Sequence, residues 1–451
     1  MTEVEFAVVG AGIAGLAAAT TLRAAGREVL VLDAAEHAGG VARSEPIDGH
    51  LVERGPNTFR VSAAMNEFLR SHGFDAVLEP AAPGGGERFL VRGGALVPVP
   101  MSPLAFARSP LLTTGGKLRL LAEPFVRRGD PRGESVATFA KRRFGCETRD
   151  ALIGPFLTGI YAGDEAQLGV ETVFPSLAAA ELRSGSVVRG LLAQALRGGA
   201  AKGRPGTWSG KGGIGALAGA LAAALGPALR LSARVSRITC EDGVHRLAVA
   251  ADFGEAEVRA RGLVMAAPAA EAATLLETLD ADAAGALREI VYAPVASVSL
   301  TLATGSTREP IRGFGFLVPR GEGDMLLGCL FPSQLFPGRA PAGRELLTLL
   351  AGGMRRPDAL DESDDRLVAS LVGEIDRVLG LRDAPRTLAI TRWRRAVPQP
   401  GVDHVRLVAA LRGRIAQQPR IALAGAHLDG VAFGEALASG VRAARMLLEN
   451  R

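Results

Sequence analysis

The chain has 451 residues, 48% hydrophobic and 22% charged, a balance that excludes a disordered chain and gives room for two or three domains. Its net charge of +5 is dispersed along the sequence, too weak to indicate a nucleic-acid partner and compatible with an anionic ligand. Aromatic residues make up only 5%, too few to furnish an aromatic cage or a base-stacking platform.

Cys146, Cys240 and Cys329 stand far apart with no Cys/His cluster, so neither a disulfide framework nor a metal site is indicated. A reducing cytoplasm fits this usage. The amino terminus reads as a strand, without the basic region and cleavage site of a signal peptide. No run of about 18 apolar residues occurs, so no spanning helix is expected.

In chain order, residues 6–9 read as an apolar strand, 13–25 as a helix and 28–32 as a second strand ending at Asp33. Between strand and helix stand Gly10, Ala11, Gly12, Ile13, Ala14 and Gly15. The glycine spacing has a mechanical basis: Gly10 allows a tight turn, Gly12 lets backbone approach a pyrophosphate, and Gly15 lets the helix pack close to the strand. The helix start turns N–H groups and a positive dipole end towards phosphate. Asp33 can accept hydrogen bonds from ribose hydroxyls and disfavours a 2′-phosphate. Gly39 and Gly40 follow, then Val41 and Arg43, whose guanidinium can reach the pyrophosphate. The chain then continues into "GHLVERGPNTF" at 49–59, where a nicotinamide-dependent dehydrogenase would begin another strand–helix unit.

Residues 61–80 read as a helix and its exit, Pro and Gly cluster at 81–86, and 100–200 is helical with breaks. Strands are expected at 231–238, 291–303, 311–318 and 325–331, and the stretch 258–270 ends a strand on a small-residue turn. Helices are expected near 342–352 and 363–379. The last thirty or so residues read as strand, loop and helix. The first and last segments both look like strand–helix units that sit together, while the middle of the chain forms a second layer.

The Gly-Gly-x-x-Arg run resembles that of the FAD-dependent, amine-oxidase-like superfamily. "GHLVERGPNTF", "RFLVRGGALVPVP" at 88–100, "TGIYAGDEAQLGVETVFPSL" at 158–177, "YAPVASVSL" at 292–300, "GFGFLVP" at 313–319 and "LAGAHLDGVAFGEALASG" at 423–440 resemble the protoporphyrinogen/coproporphyrinogen oxidase family. The likeness runs in order over nearly the whole chain, and "TGIYAGD" is its most specific piece. "GPNTF" and the Arg88 context lean towards protoporphyrinogen over coproporphyrinogen.

That resemblance implies an α/β (α+β) fold: a discontinuous Rossmann-like FAD-binding domain, an antiparallel-sheet substrate domain and a helical, membrane-associating domain. Residues 1–80, 201–270 and 389–451 are assigned to the FAD domain, 81–200 to the helical and substrate region, and 271–388 to the substrate domain. It implies oxidation of a porphyrinogen to the aromatic porphyrin in heme biosynthesis, six electrons passing two at a time through FAD to dioxygen, with hydrogen peroxide formed. The cofactor performs the redox step, so no catalytic side chain is required and none is assigned. Cytoplasmic location, peripheral membrane contact and a homodimer accompany the family.

Carried over by resemblance, FAD contacts fall on Gly10, Ala11, Gly12, Ile13, Ala14, Gly15, Asp33, Gly40, Val41, Arg43, Gly55, Pro56, Asn57, Thr58, Val235, Trp393, Ala426, Val431, Ala432 and Phe433. Val235 is placed on the adenine side. Substrate contacts fall on Arg88, which pairs with a propionate, and on Phe314, Gly315, Leu317 and Leu350, which pack on the ring. Gly159, with Ala162 and Gly163, lets backbone approach the ring. Pro400, Ala436 and the Gly434-Glu435 pair depart from the family's usual residues.

The histidines show no ligand spacing, and His427 stands out only because it lies in the cofactor-covering loop. Residues 127–143 carry Arg127, Arg128, Arg132, Lys141, Arg142 and Arg143 against Asp130 and Glu134. That run reads either as a solvated helical face or as a surface for anionic lipid. An amine oxidase or carotenoid desaturase on the same FAD domain, or a non-enzymatic flavoprotein, are the competing readings.

Overall fold

The computed structural model describes residues 2–197, 203–251 and 254–449. Thr2–Val9 lies inside a seven-stranded sheet. Val29–Leu32 and Gly254–Met265 flank it in parallel. Leu229–Arg230 extends one side, and the antiparallel strands Val244–Ala251 and Val235–Glu241 extend the other. Ile421–Leu423 joins the far end of Gly254–Met265 in parallel. The first, middle and last stretches of chain therefore close one sheet. Helices Ile13–Ala24 and Phe433–Glu449 bury Phe6 and Val8 on one face. Ala269–Leu276, Ala281–Arg288 and His404–Ile415 bury Ala7 and Val9 on the other. Cover on both faces is why residues 6–9 read as an unbroken apolar run.

A second seven-stranded sheet has the order Arg386–Pro398, Tyr292–Ala303, Arg344–Gly352, Leu326–Leu330, Gly315–Leu317, Arg88–Arg92 and Ala95–Pro98. It is antiparallel except between Gly315–Leu317 and Arg88–Arg92. Helix Asp364–Leu379 covers one face. Its N-cap Ser363 accepts from the Arg366 N–H, and Gly380 closes its C-terminus in the left-handed region. Leu367, Leu371 and Ile375 are fully buried against Val298, Leu300, Leu347 and Leu349; each such side chain contributes about 2 kcal/mol of gross transfer energy. From the other side His50 reaches Thr301 Oγ1 at 2.8 Å and Arg54 donates to Thr391 Oγ1 at 3.2 Å.

The helix expected near 342–352 is instead the strand Arg344–Gly352. It lies between two neighbours and has both faces buried, so its side chains show no two-residue alternation, and its leucines imitate a helix. The strand expected over 231–238 begins only at Val235, because Ser232 and Ala233 hydrogen-bond around the turn at Asp33 and Ala35. The strand expected over 311–318 is confined to Gly315–Leu317. Arg386–Pro398 pairs along its length with Tyr292–Ala303, so the division drawn at 388/389 falls within a strand of the second sheet.

Helices between Pro103 and Arg197 form a third layer around Val136, Phe139, Leu157, Leu168 and Val187. Here the basic run divides: Arg127, Arg128, Arg132 and Lys141 are exposed, Arg142 is half-buried and Arg143 lies inside. Arg143 is fully buried and pairs with Glu123 and Glu181. Arg142 bridges Glu134 and Glu181, each at 2.6 Å, and Arg132 pairs with Asp130. Glu123 also accepts from the Val187 and Val188 N–H groups and from Ser186 Oγ, capping the helix Val187–Arg197. No helix among the described residues is long and apolar enough to cross a membrane.

Candidate active site

Strand, turn and helix converge at Gly10, whose φ of +109° suits glycine and whose N–H donates to Leu32 O at 2.8 Å. A Cβ on Gly15 would stand 1.9 Å from Gly10 O, so the helix sits directly on the turn. A Cβ on Gly12 would instead meet nothing within 4 Å. Gly12 thus faces open space at the N-terminus of Ile13–Ala24, where the helix dipole favours an anion. The Asp33 carboxylate accepts from the Ala11 N–H at 2.5 Å and the Ala35 N–H at 2.7 Å. It therefore ties the glycine turn to the end of the second strand, and each oxygen keeps lone-pair capacity for a hydroxyl donor. The Ala233 N–H donates to Asp33 O at 2.7 Å, which brings Val235 to this end of the site.

Later glycines complete the cradle. The Gly39 N–H donates to Ala11 O at 2.8 Å, and a Cβ on Gly40 would lie 3.4 Å from Gly12 Cα. A Cβ on Gly55 would lie 2.0 Å from Val41 O, so these two backbones touch. Asn57 is buried; its Nδ2 donates to Gly55 O at 3.3 Å, while its Oδ1 has no partner among the described residues. A buried acceptor without a donor is costly, and a bound ligand that presents an N–H or O–H would remove the cost. Pro56 and Thr58 flank it. Arg43 pairs with Glu45, which Arg54 also holds; hydrogen bonding to Arg54 pulls the Glu45 carboxyl below its ordinary value.

The end of the chain closes on this cradle. Phe433 stacks on Phe59 with ring centroids 4.9 Å apart. The Gly425 N–H donates to Ser439 Oγ at 3.1 Å, and Ser439 Oγ donates to Asp429 at 2.6 Å, folding the Ala426–Asp429 turn back on the last helix. Ala432 O accepts from the Glu435 and Ala436 N–H groups at the start of that helix, and Val431 packs on the helical layer. A Cβ on Gly440 would lie 1.9 Å from Ala14 O. Gly440 was not singled out from sequence, although its place one helical face beyond Phe433 is the available signal. His427, in the same turn, is buried; burial and the neighbouring His404 push it down to about 4, so it is neutral.

Register sets the opposite wall. One row across the second sheet reads Arg88, Gly315, Leu330, Thr348 and Ser299; the next reads Leu90, Leu317, Gly328, Leu350 and Ser297. The row between them, Phe89, Phe316, Cys329, Leu349 and Val298, faces helix Asp364–Leu379. Arg88, Gly315, Leu317 and Leu350 therefore share the face turned away from that helix. Phe314 falls just before the strand, and the Arg88 guanidinium lies over its ring at 4.6 Å from the centroid. A Cβ on Gly159 would stand 2.7 Å from Leu317 Cδ2, so the helix Gly154–Tyr161 packs onto this row. Leu350 packs with Val295, Leu327 and Ala162, and Ala162 itself holds a left-handed φ of +47°. Ser297 Oγ on the same row is buried without a partner among the described residues; sequence reasoning missed it.

The two walls meet at Trp393, whose Nε1 donates to Arg54 O at 2.6 Å, one residue before Gly55. A dinucleotide cradle that touches an apolar sheet face with Arg88 at its rim defines a flavin-dependent oxidoreductase: the polar inventory suits holding and orienting rather than acid–base work. The sequence profile of the flavin-containing amine oxidoreductases matches residues 13–448. A chloroplast protoporphyrinogen oxidase of Nicotiana tabacum is 31% identical over 96% of this chain and 83% of its own. A coproporphyrinogen III oxidase of Bacillus subtilis (strain 168) is 25% identical over 96% of this chain and 95% of its own. In fold, a crystal structure from Exiguobacterium sp. 255-15, provisionally called a protoporphyrinogen oxidase, aligns with a TM-score of 0.81 at 24% identity over 99% of each chain. The chain belongs to the flavin-containing amine oxidoreductases and, within them, to the protoporphyrinogen/coproporphyrinogen oxidase family. Its cofactor is FAD.

Proposed function

We propose that the protein oxidises protoporphyrinogen IX to protoporphyrin IX through FAD, with dioxygen as acceptor and hydrogen peroxide as product, as a step of heme formation. The observation that carries this reading is the register that gathers Arg88, Gly315, Leu317 and Leu350 on one sheet face beside the cradle. A flat or flattening macrocycle needs broad apolar walls with small residues for close approach. Gly159, Gly315 and Gly328 supply the small positions; Leu317 and Leu350 supply the walls. Arg88 presents a planar fork to a carboxylate at the rim. FAD, when bound, accepts the hydride equivalents. The chain's own part is to orient the ring and exclude water.

In this reading Gly10, Ala11, Gly12, Ile13, Ala14, Gly15, Gly40, Val41 and Arg43 hold the pyrophosphate, Asp33 the ribose and Val235 the adenine. Gly55 to Thr58, Trp393, Ala426 and Val431 to Phe433 enclose the flavin. The first sheet and its helices act as the cofactor domain, and the second sheet as the substrate domain. Aerobic assay of protoporphyrinogen IX and coproporphyrinogen III by product fluorescence tests the reading; turnover of coproporphyrinogen alone overturns the choice of substrate.

The helical layer suits peripheral contact with a membrane, on grounds other than its basic run. Met101, Leu104, Leu118, Leu121 and Phe125 are all more than half exposed. Co-sedimentation with vesicles should fall in a Leu121→Glu/Phe125→Glu variant; an unchanged bound fraction contradicts this.

A further inference from the structure

We infer that Arg60 is a second carboxylate-binding residue that works with Arg88 to grip a substrate with two acidic groups on one edge. The inference rests on the porphyrinogen reading and deepens it. Phe59 and Trp208 exchange backbone hydrogen bonds at 2.9 Å, which places Arg60 beside Thr207. Arg88 donates to Thr207 Oγ1 at 3.4 Å and to Gly86 O at 3.2 Å. Both arginines are exposed, and neither has an ion-pair partner among the described residues. The nearby carboxylates are committed elsewhere: Asp75 to Arg204, Glu79 to Arg339, and Glu87 to Arg312. Partial shielding of the Arg88 head group, which lies over Phe314, and the like charge of Arg60 both pull Arg88 below its ordinary value, so the two guanidinium groups repel each other. Two unpaired cations placed side by side at the mouth of an apolar site call for a dianion.

The position of Arg60 relative to the cofactor adds to this. Phe59, its neighbour, stacks on Phe433, and Arg60 O lies 3.3 Å from where a Cβ on Gly434 would stand. A carboxylate held by Arg60 would therefore fix the ring edge next to the cofactor-covering loop, while Arg88 fixes the same edge from the substrate sheet. Protoporphyrinogen IX carries its two propionates on adjacent pyrroles, which suits such a pair. Coproporphyrinogen III spreads four around the ring and would leave two without a cation here.

The test compares the diacid protoporphyrinogen IX with its dimethyl ester on FAD-loaded wild type and on Arg60→Gln, Arg60→Lys and Arg88→Gln. Arg60→Gln should raise KM for the diacid about tenfold, more than it lowers kcat, and leave KM for the ester where it was. Arg60→Lys should recover part of the loss. The corresponding porphyrins, titrated by their own absorbance, should show the same order of binding. An unchanged diacid KM in Arg60→Gln, or an equal rise for diacid and ester, overturns the role of Arg60 while leaving the porphyrinogen reading intact. Wild-type protein that neither turns over nor binds either compound overturns both.

Discussion

Arg339 Nη1 donates to Glu53 Oε1 at 2.8 Å, with both side chains 2% exposed, and this pair ties the loop before strand Arg344–Gly352 to the segment that leads into Gly55. The Ile214 N–H and Ser44 Oγ also bond Glu53, and Arg339 reaches Glu79, Ser209 Oγ and Gly210 O. Burial pushes the Glu53 carboxyl up to about 7 against the pull of these partners. Removing the cation leaves a buried carboxylate alone. Arg339→Met should cost about 3 kcal/mol in urea unfolding at about pH 8. The loss should be smaller near pH 5, where Glu53 takes up a proton in the folded state. A loss independent of pH would show that Glu53 does not respond to its partner.

The glycines of the cradle divide by what a methyl group would meet. Gly15→Ala and Gly440→Ala each force a Cβ to within 1.9 Å of a carbonyl oxygen, so both should lower stability by several degrees of Tm or prevent folding. Gly12→Ala meets nothing within 4 Å, and its φ of −67° is open to any residue. That variant should match wild type in the Tm of the apoprotein and lose at least about tenfold in FAD affinity. Equal loss of apoprotein stability in all three would remove the distinction.

Gly159→Ala should act on the substrate rather than the cofactor. Its Cβ would fall 2.7 Å from Leu317 Cδ2, the mobile end of a side chain, so Leu317 yields into the space before the sheet. The expected outcome is full FAD content with KM raised about tenfold. Loss of flavin instead would place Gly159 in the cofactor site.

His427 gives a pH dependence with a defined sign. Its folded value of about 4 lies below the ordinary 6.5, and it faces His404 and Asp429, the latter paired with Arg412 and Arg442. Between those values the unfolded chain holds the extra proton. Stability should be full above about pH 6.5 and fall as pH drops towards 4, by on the order of 3 kcal/mol from this group. His404, also pulled down by burial, adds in the same direction. His427→Gln should flatten the Tm profile across this window; an unchanged slope assigns it to other groups.

The glycine turn was legible because its signals are local. Gly10, Gly12 and Gly15 sit between a strand and a helix, and the chain geometry alone says what they do. Val41 and Gly55 were named through resemblance; that their backbones touch is visible only in three dimensions. The second sheet's face was legible as motifs but not as a wall. Arg88, Leu317 and Leu350 come from separate strands, and only the pairing register puts them on one face. Leu350 was expected in a helix because a strand buried on both faces loses its alternation. The basic run at 127–143 was legible only in part for a similar reason: sequence shows charges but not that Glu123 and Glu181, from other segments, enclose Arg143.

The most direct measurement mixes FAD-loaded protein with protoporphyrinogen IX in the absence of oxygen and follows flavin and porphyrin absorbance together. The account predicts that the oxidised flavin bands bleach as porphyrin appears, and that admitting oxygen restores the flavin with release of hydrogen peroxide. Flavin that stays oxidised in the presence of the porphyrinogen, yet bleaches with an amine, would contradict it.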